Sequence, residues 1–143
     1  MNDPRPRDTV ETIDVEVRYA ETDQMGVVHH ANYLVWFELA RTHLCAESGF
    51  SYSAIEELGY WLMVIRSEVD YHRGARYGDR VRVRARIERL TSRTLRFGYE
   101  VSRDGELLAR GATEHVWVSR ERRRPCRIPE VLRTPFARLA GEV

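Results

Sequence analysis

The residue best placed for chemistry in this sequence is Asp23, on a short loop between a predicted strand and a predicted helix. Gly26 lies within the same loop and allows it to turn sharply. The first N–H groups of a helix have no acceptor within the helix, so they can stabilise a developing oxyanion. A carboxylate beside them can attack a carbonyl or activate water towards it. An ordinary type I turn also favours Asp and Gly at this spacing, which leaves both interpretations open.

Other reactive arrangements are missing from the sequence. His29 and His30 are adjacent, so on most backbones their side chains point apart, and no HxxxH or HxxE pattern supplies further metal ligands. No GxSxG motif is present, which excludes the nucleophilic serine of the α/β-hydrolases. The sequence therefore predicts no metal site and leaves Asp23 as the main candidate.

The composition is typical of one ordinary globular domain. The chain has 143 residues, of which 43% are hydrophobic and 31% charged, so one core can form within a single domain over 1–143. Its 23 basic and 22 acidic residues leave a net charge of +1, so no nucleic-acid partner is expected. Residues 1–14 lack the apolar centre of a secretion signal, and the longest apolar run, 60–65, is too short to span a membrane. We therefore expect a cytoplasmic protein without a membrane span.

Hydrophobic periodicity predicts one strand, one long helix and then four more strands. Residues 12–19 alternate between apolar and polar side chains, as in a half-buried strand. Asn32 suits the N-cap of a helix, and Gly49 is placed to end it. Apolar side chains surround most of this helix, so other structure must wrap around it. A short helix over 51–58 and strands over 60–71, 79–90, 94–102 and 107–118 complete the pattern.

This order of elements predicts an α+β fold, in which a curled antiparallel sheet of about five strands wraps around one long buried helix. Residues 1–11 and 133–143 are predicted to be loosely ordered ends. The strand over 79–90 alternates arginine with apolar residues, which places four guanidinium groups on one face of the sheet. We interpret them as a solvated face balanced by acids on neighbouring strands, such as Glu100 or Glu114, with a phosphate-binding surface as the alternative.

The segment around Asp23 resembles the signature of the 4-hydroxybenzoyl-CoA thioesterase-like branch of the hotdog superfamily. That branch includes the Tol–Pal-associated acyl-CoA thioesterases and the long-chain acyl-CoA thioesterases. The matching residues are Arg18-Tyr19, Glu21-Thr22-Asp23, Gly26-Val27-Val28, His30-Ala31-Asn32-Tyr33, Trp36-Phe37-Glu38 and Ala40-Arg41. The resemblance covers roughly residues 12–132 and includes Val69-Asp70-Tyr71, Tyr77-Gly78-Asp79 and Arg127-Ile128-Pro129. It implies the hotdog fold.

The resemblance also implies an activity and a set of site residues. The substrate is then a fatty-acyl or aroyl thioester of coenzyme A, and coenzyme A is part of that substrate, so no separate cofactor is expected. Asp23 is implied as nucleophile or general base, and His30 as the donor of a backbone N–H to the thioester carbonyl. The side chains of His30 and Tyr19 are implicated in some members. Position 29, often Tyr in relatives, is His29 here.

The family further implies a homodimer with the active site between its subunits, and commonly a homotetramer. An exposed edge strand, which pairing across a two-fold axis would cover, points the same way. A thiolate resembles a cysteine thiol of pKa about 8.5, so it leaves without a strong general acid and a sparse site is sufficient. Carrier-protein thioesters are a close variant of the substrate. The alternatives are a non-catalytic acyl-CoA-binding hotdog protein and a hotdog dehydratase, because a fold alone does not define a function.

Overall fold

The strands predicted from the sequence form one antiparallel sheet that curls around one long helix. The computed structural model describes residues 8–142 of the chain. In chain order the elements are β1 (Glu11–Glu16), a 3-10 turn (Tyr19–Glu21), α1 (Ala31–Ala46), α2 (Tyr52–Glu57), β2 (Tyr60–Tyr71), β3 (Arg80–Leu90), β4 (Thr94–Arg103), β5 (Glu106–Ser119), β6 (Arg124–Cys126) and α3 (Glu130–Leu139). The strand order is β1-β3-β4-β5-β2, and β6 pairs with β5. The α+β architecture is as predicted, with six strands instead of about five.

The alternating pattern of β3 separates the core from the outer face of the sheet. Val81, Val83, Ala85 and Ile87 are buried on the side that faces α1, and the four arginines that alternate with them are exposed on the other face. Arg82 pairs with Asp14 across the strands at 3.3 Å. The acids named from the sequence pair elsewhere, because Glu100 binds Arg110 and Glu114 binds Arg96. The four arginines on the outer face are therefore solvated as expected, but the acid that pairs with Arg82 is Asp14 and not Glu100 or Glu114.

One face of helix α1 packs into the concave side of the sheet. Its buried residues are Tyr33, Trp36, Phe37, Ala40, Arg41, Leu44 and Cys45. Phe37 stacks on Tyr99 of β4 with ring centroids 4.3 Å apart. Phe37 also lies so close to Gly111 of β5 that a Cβ at that position would overlap the ring, which explains the glycine in this strand. On the opposite face Leu34, Val35 and Leu39 are exposed.

Asn32 does not cap α1, which corrects the expectation from the sequence. The helix begins at Ala31, and Asn32 lies in its first turn. The N–H of Ala31 instead donates to Nδ1 of His29, 3.2 Å away. The Asn32 side chain is used for another purpose, because its amide donates to the backbone carbonyl of Glu21 at 3.0 Å.

The prediction of a loosely ordered C-terminal end over 133–143 is wrong for most of that segment, because α3 occupies it. Leu132, Phe136 and Leu139 lie at helical spacing and are buried against the sheet. The Phe136 ring meets the Trp117 ring edge to face at 5.5 Å. Of the predicted loose N-terminal end, residues 1–7 lie outside the described part, and Glu11 already belongs to β1. No helix within residues 8–142 is long and apolar enough to cross a bilayer.

A chain of buried polar side chains crosses the core. The Arg41 guanidinium donates from Nε to the Tyr52 hydroxyl (2.9 Å) and from Nη1 to the Tyr99 hydroxyl (3.1 Å). The Tyr99 hydroxyl lies 2.6 Å from Thr113 Oγ1, which lies 2.8 Å from Nε2 of His115. Because arginine can only donate, the arrangement that satisfies each hydroxyl has Tyr99 donating to Thr113 and Thr113 to His115. The ring proton of His115 is then on Nδ1.

Candidate active site

Asp23 lies on a tight loop that is closed by its own hydrogen bonds. Its N–H donates to the Val27 carbonyl (2.8 Å), and its carbonyl accepts from the Gly26 N–H (3.0 Å). Gly26 has a φ of +80°, a left-handed conformation that glycine adopts without strain. Oδ1 of Asp23 accepts from the Met25 N–H at 2.8 Å, and Oδ2 has no hydrogen-bond partner among residues 8–142. The loop is therefore a turn that also orients a carboxylate and leaves one of its oxygens available.

A second loop, residues 72–79, packs against the Asp23 loop. The Val28 N–H donates to the carbonyl of Ala75 at 2.8 Å. The two backbones approach closely at Gly74, where a Cβ would lie 2.8 Å from Val27 Cγ1. A side chain at position 74 would therefore push the two loops apart.

Asp79 holds the far end of this second loop. Its Oδ2 accepts from the Arg76 N–H (2.8 Å) and from Nη1 of Arg103 (2.6 Å). Burial alone would raise the pKa of the Asp79 carboxyl, but these two donors outweigh burial and hold that pKa below its usual range. Asp79 is the last residue of the Tyr77-Gly78-Asp79 turn in the family resemblance, and here it is a structural anchor.

Asp23 and His30 line the same cavity, which has a volume of about 280 Å³. The remaining lining comes from both loops, the start of α1 and the end of β2, through Met25, Val27, Val28, Tyr33, Tyr71, His72, Arg73 and Gly74. A larger hollow of about 730 Å³ lies on the outer face of the sheet beside Arg82 and Arg84. Acidic residues line that hollow too, and it contains none of the residues predicted for catalysis.

His30 is the residue at which the loop enters α1. It is the N-cap residue, with φ −53° and ψ −33°. Its carbonyl accepts from the Tyr71 hydroxyl (3.1 Å) and from the Tyr33 N–H (3.3 Å). Its own N–H meets no acceptor in the part of the chain that the structure describes. The start of α1 therefore presents an unused donor beside the Asp23 cavity.

Tyr19, the third residue predicted for catalysis, lies apart from the other two. It belongs to the 3-10 turn and is not among the described residues that line the Asp23 cavity. Its side chain is 76% exposed and meets the Tyr77 ring edge to face at 5.8 Å. The structure thus brings Asp23 and His30 together without Tyr19.

Two residues that shape the site were not identified as such from the sequence. Tyr71 ends β2 and reaches His30, a contact between residues 41 apart that no local pattern reveals. Glu21 is only 4% exposed and accepts from the indole of Trp36 at 3.0 Å. Both residues lie within the family resemblance, but the resemblance gave neither a role. Among residues 8–142, no group of three or more His, Cys, Asp or Glu side chains is arranged to hold a metal ion.

Comparison with known families and structures identifies the class of protein. Residues 17–136 match the thioesterase-like superfamily, so the chain belongs to this superfamily. Its curled sheet around a central helix is the hotdog fold of thioesterases of known structure. The class is therefore that of thioester hydrolases.

Individual relatives and solved structures are similar to this chain over most of its length. A Bacillus subtilis protein named putative acyl-CoA thioesterase YneP is 40% identical over 113 residues, which cover 78% of this chain and 82% of that protein. The hypothetical protein TT1821 from Thermus thermophilus superimposes with a TM-score of 0.86 at 40% identity, covering 90% of this chain and 98% of the other. The DHNA-CoA thioesterase of Staphylococcus aureus gives a TM-score of 0.85 at 30% identity, covering 91% and 90%.

Proposed function

We propose that this protein is an acyl-CoA thioesterase that hydrolyses a fatty-acyl or aroyl thioester of coenzyme A. The observation that carries the proposal is that Asp23 and His30 line one cavity, the first with a carboxylate oxygen and the second with a backbone N–H that have no partner among the described residues. The names of the relatives support the substrate class, since one is named a putative acyl-CoA thioesterase and another a DHNA-CoA thioesterase. No metal and no cofactor beyond the coenzyme A of the substrate take part in the proposed reaction.

Asp23 is the proposed catalytic carboxylate. Its Oδ1 is held by the Met25 N–H, which leaves Oδ2 to attack the thioester carbonyl or to take a proton from an attacking water. In either case the carbonyl carbon gains a bond to oxygen and then loses its bond to sulfur. The coenzyme A thiolate leaves, and water supplies the oxygen and the protons of the products.

His30 is the proposed oxyanion donor, acting through its backbone. As the C–O bond forms, negative charge develops on the carbonyl oxygen of the substrate. The His30 N–H lies at the start of a 16-residue helix, where the dipole also favours negative charge. The imidazole of His30 and the phenol of Tyr19 remain further proposals taken from the resemblance, and Tyr19 would have to turn towards the cavity to contribute.

We further propose that the working protein is a homodimer, and by resemblance a homotetramer. Strand β2 forms an edge of the sheet, and three consecutive apolar residues on it, Met63, Val64 and Ile65, are 44% to 55% exposed. The outward face of α1 adds further exposed apolar side chains. A second copy pairing along β2 would cover this surface and satisfy the unpaired backbone groups of the edge.

The test is thiol release from a panel of acyl-CoAs of graded chain length, together with aroyl-CoAs and one acylated carrier protein. We expect turnover with a clear preference within the panel. A protein-only blank corrects for Cys126, which is half-buried, whereas Cys45 is buried and burial raises the pKa of its thiol to about 12. Tight acyl-CoA binding without thiol release would instead indicate the non-catalytic binder, and loss of water from a hydroxyacyl-CoA would indicate a dehydratase.

A further inference from the structure

We propose that Glu21 is a positioning residue that sets the distance between the Asp23 carboxylate and the start of α1. This inference rests on the proposed function, because it concerns the placement of the two groups assigned to catalysis. Glu21 precedes Asp23 by two residues and ends the 3-10 turn. It is not among the residues that line the cavity, so it acts through its neighbours.

The Glu21 side chain is buried between two donors. Its Oε1 accepts from the Arg18 N–H at 2.8 Å, and the Arg18 side chain lies over the same oxygen at 3.4 Å. Its Oε2 accepts from Nε1 of Trp36 at 3.0 Å. Trp36 is 1% exposed and belongs to α1, so this bond ties the turn before Asp23 to the helix that carries the proposed oxyanion donor.

The backbone of Glu21 makes the same connection a second time. Its carbonyl accepts from the His29 N–H at 2.8 Å and from the Asn32 amide at 3.0 Å. His29 and Asn32 lie on either side of the entry into α1, and His30 lies between them. Glu21 therefore contacts both ends of the catalytic segment. Asp23 follows it by two residues, and His30 lies between the two residues that donate to its carbonyl.

The chemistry of the two donors requires a carboxylate at position 21. Both Oε1 and Oε2 act as acceptors, and an ionised carboxylate offers only acceptors. A glutamine can accept from one donor, but its NH₂ group then faces the second donor, either the Arg18 N–H or the Trp36 indole. Trp36 is buried, so water cannot replace a lost bond to its indole, and loss of either bond should shift the turn relative to α1.

Such a movement should affect turnover more than substrate binding. A displacement of about 1 Å at a reacting group can cost on the order of 100-fold in rate, since the reacting atoms must meet in a defined geometry. Substrate binding should change less, because Glu21 is not among the residues that line the cavity. We therefore expect a fall in kcat with a smaller change in KM.

The experiment compares Glu21→Gln, Trp36→Phe and the double variant at a temperature well below the melting temperature of each. We expect each single variant to lower kcat by about 10- to 100-fold with KM changed by less than about 3-fold. The double variant should lose less than the product of the two single losses, because both changes act on the Glu21–Trp36 bond. Leu132→Ala, in α3, is the control that destabilises the fold without touching this contact, and its kcat should stay near the wild-type value.

A spectroscopic measurement follows the same bond directly. In ¹H–¹⁵N spectra the Trp36 indole signal, assigned by its loss in Trp36→Phe, should move upfield in Glu21→Gln because the carboxylate acceptor is weakened. It should stay in place in Asp23→Asn. A wild-type kcat in folded Glu21→Gln, or a kcat loss matched by Leu132→Ala at equal loss of melting temperature, would overturn the positioning role. If Asp23→Asn also turns over normally, the proposed function itself fails, and the two failures are thereby distinguished.

Discussion

The hydroxyl of Tyr71 donates a hydrogen bond to the carbonyl of His30, 3.1 Å away. This bond joins the last residue of β2 to the N-cap of α1 at the wall of the Asp23 cavity. The Tyr71 ring also packs edge to face on Tyr33, with ring centroids 5.2 Å apart. The entry into α1 is thus held from the sheet by Tyr71 and from the preceding turn by Glu21.

Tyr71→Phe should slow turnover modestly. The change removes the bond to His30 and keeps the ring contact with Tyr33, so we expect a fall in kcat of about 2- to 10-fold, the value of one ordinary hydrogen bond. Steady-state kinetics on the preferred acyl-CoA measures it. Tyr60→Phe, at the opposite end of β2, is the matched control, and a similar loss there would contradict the assignment.

Asp23→Asn should keep the fold and lose most of the activity. The amide oxygen can still accept from the Met25 N–H, so the loop keeps its shape while the nucleophile or base is lost. We expect a fall in kcat of on the order of 100-fold or more. Chelating agents should leave the wild-type rate unchanged, since no metal is part of the proposal. Near-normal turnover by the variant would refute the role of Asp23, and inhibition by a chelator would reopen the question of a metal.

His30→Pro should be far slower than His30→Ala. Alanine keeps the backbone N–H, whereas proline removes it, and one oxyanion-hole donor is typically worth about 100- to 1,000-fold in turnover. The φ of −53° at position 30 suits proline, and no described residue accepts from this N–H, so the proline variant should fold. Circular dichroism checks the fold of both variants. Equally severe losses in the two would show that the imidazole is the working group.

Charge on the β2 edge should separate the subunits. Ile65→Glu places a carboxylate within the exposed apolar stretch of β2, so it should shift the protein from dimer or tetramer towards monomer and reduce activity with it. Sedimentation velocity at micromolar concentration measures the assembly. Val131→Glu is the matched control, because Val131 on α3 is 52% exposed and lies outside this edge. A monomeric wild-type protein would contradict the proposed dimer.

Acid should destabilise the fold partly through His115. Burial, and next the charge of Arg41, lower the pKa of His115 to about 3. In the unfolded chain that pKa is about 6.5, so below it the unfolded state binds a proton that the folded state does not. Stability should therefore fall as the pH drops from about 6.5 towards 3, by up to about 1.4 kcal/mol per pH unit from this residue. Chemical denaturation between these values should give a shallower slope for His115→Gln, and parallel slopes would contradict the prediction.

Elements with a clear period were predictable from the sequence. β2 spans Tyr60–Tyr71 as predicted, and β3 differs from the prediction by a single residue. A glycine precedes each strand, β2 begins with an apolar run, and β3 alternates between polar and apolar residues. β6 was missed because three residues, Arg124 to Cys126, are too few to show a period. α3 was missed although its apolar residues follow helical spacing, because arginines and Pro135 interrupt the pattern.

The candidate site also has a part that could be predicted from the sequence and a part that could not. Asp23 and the start of α1 are close in the chain, so their proximity could be inferred from a strand, a glycine loop and a helix. Tyr71 could not, since its contact with His30 depends on how β2 pairs within the sheet. The cap of α1 was misjudged for a related reason. The Asn32 amide donates to the Glu21 carbonyl, a group that only the folded chain brings within reach.

The buried polar chain from Arg41 to His115 has a consequence for how this sequence can vary. In this arrangement each hydroxyl donates a hydrogen bond to the next member of the chain. The chain begins at Arg41, which can only donate, and ends at Nε2 of His115, which accepts. Replacing a single member by an apolar residue leaves a neighbouring buried polar group without its hydrogen-bond partner. In a set of related sequences, positions 41, 99, 113 and 115 should therefore change together or not at all, so that they are inherited as one unit.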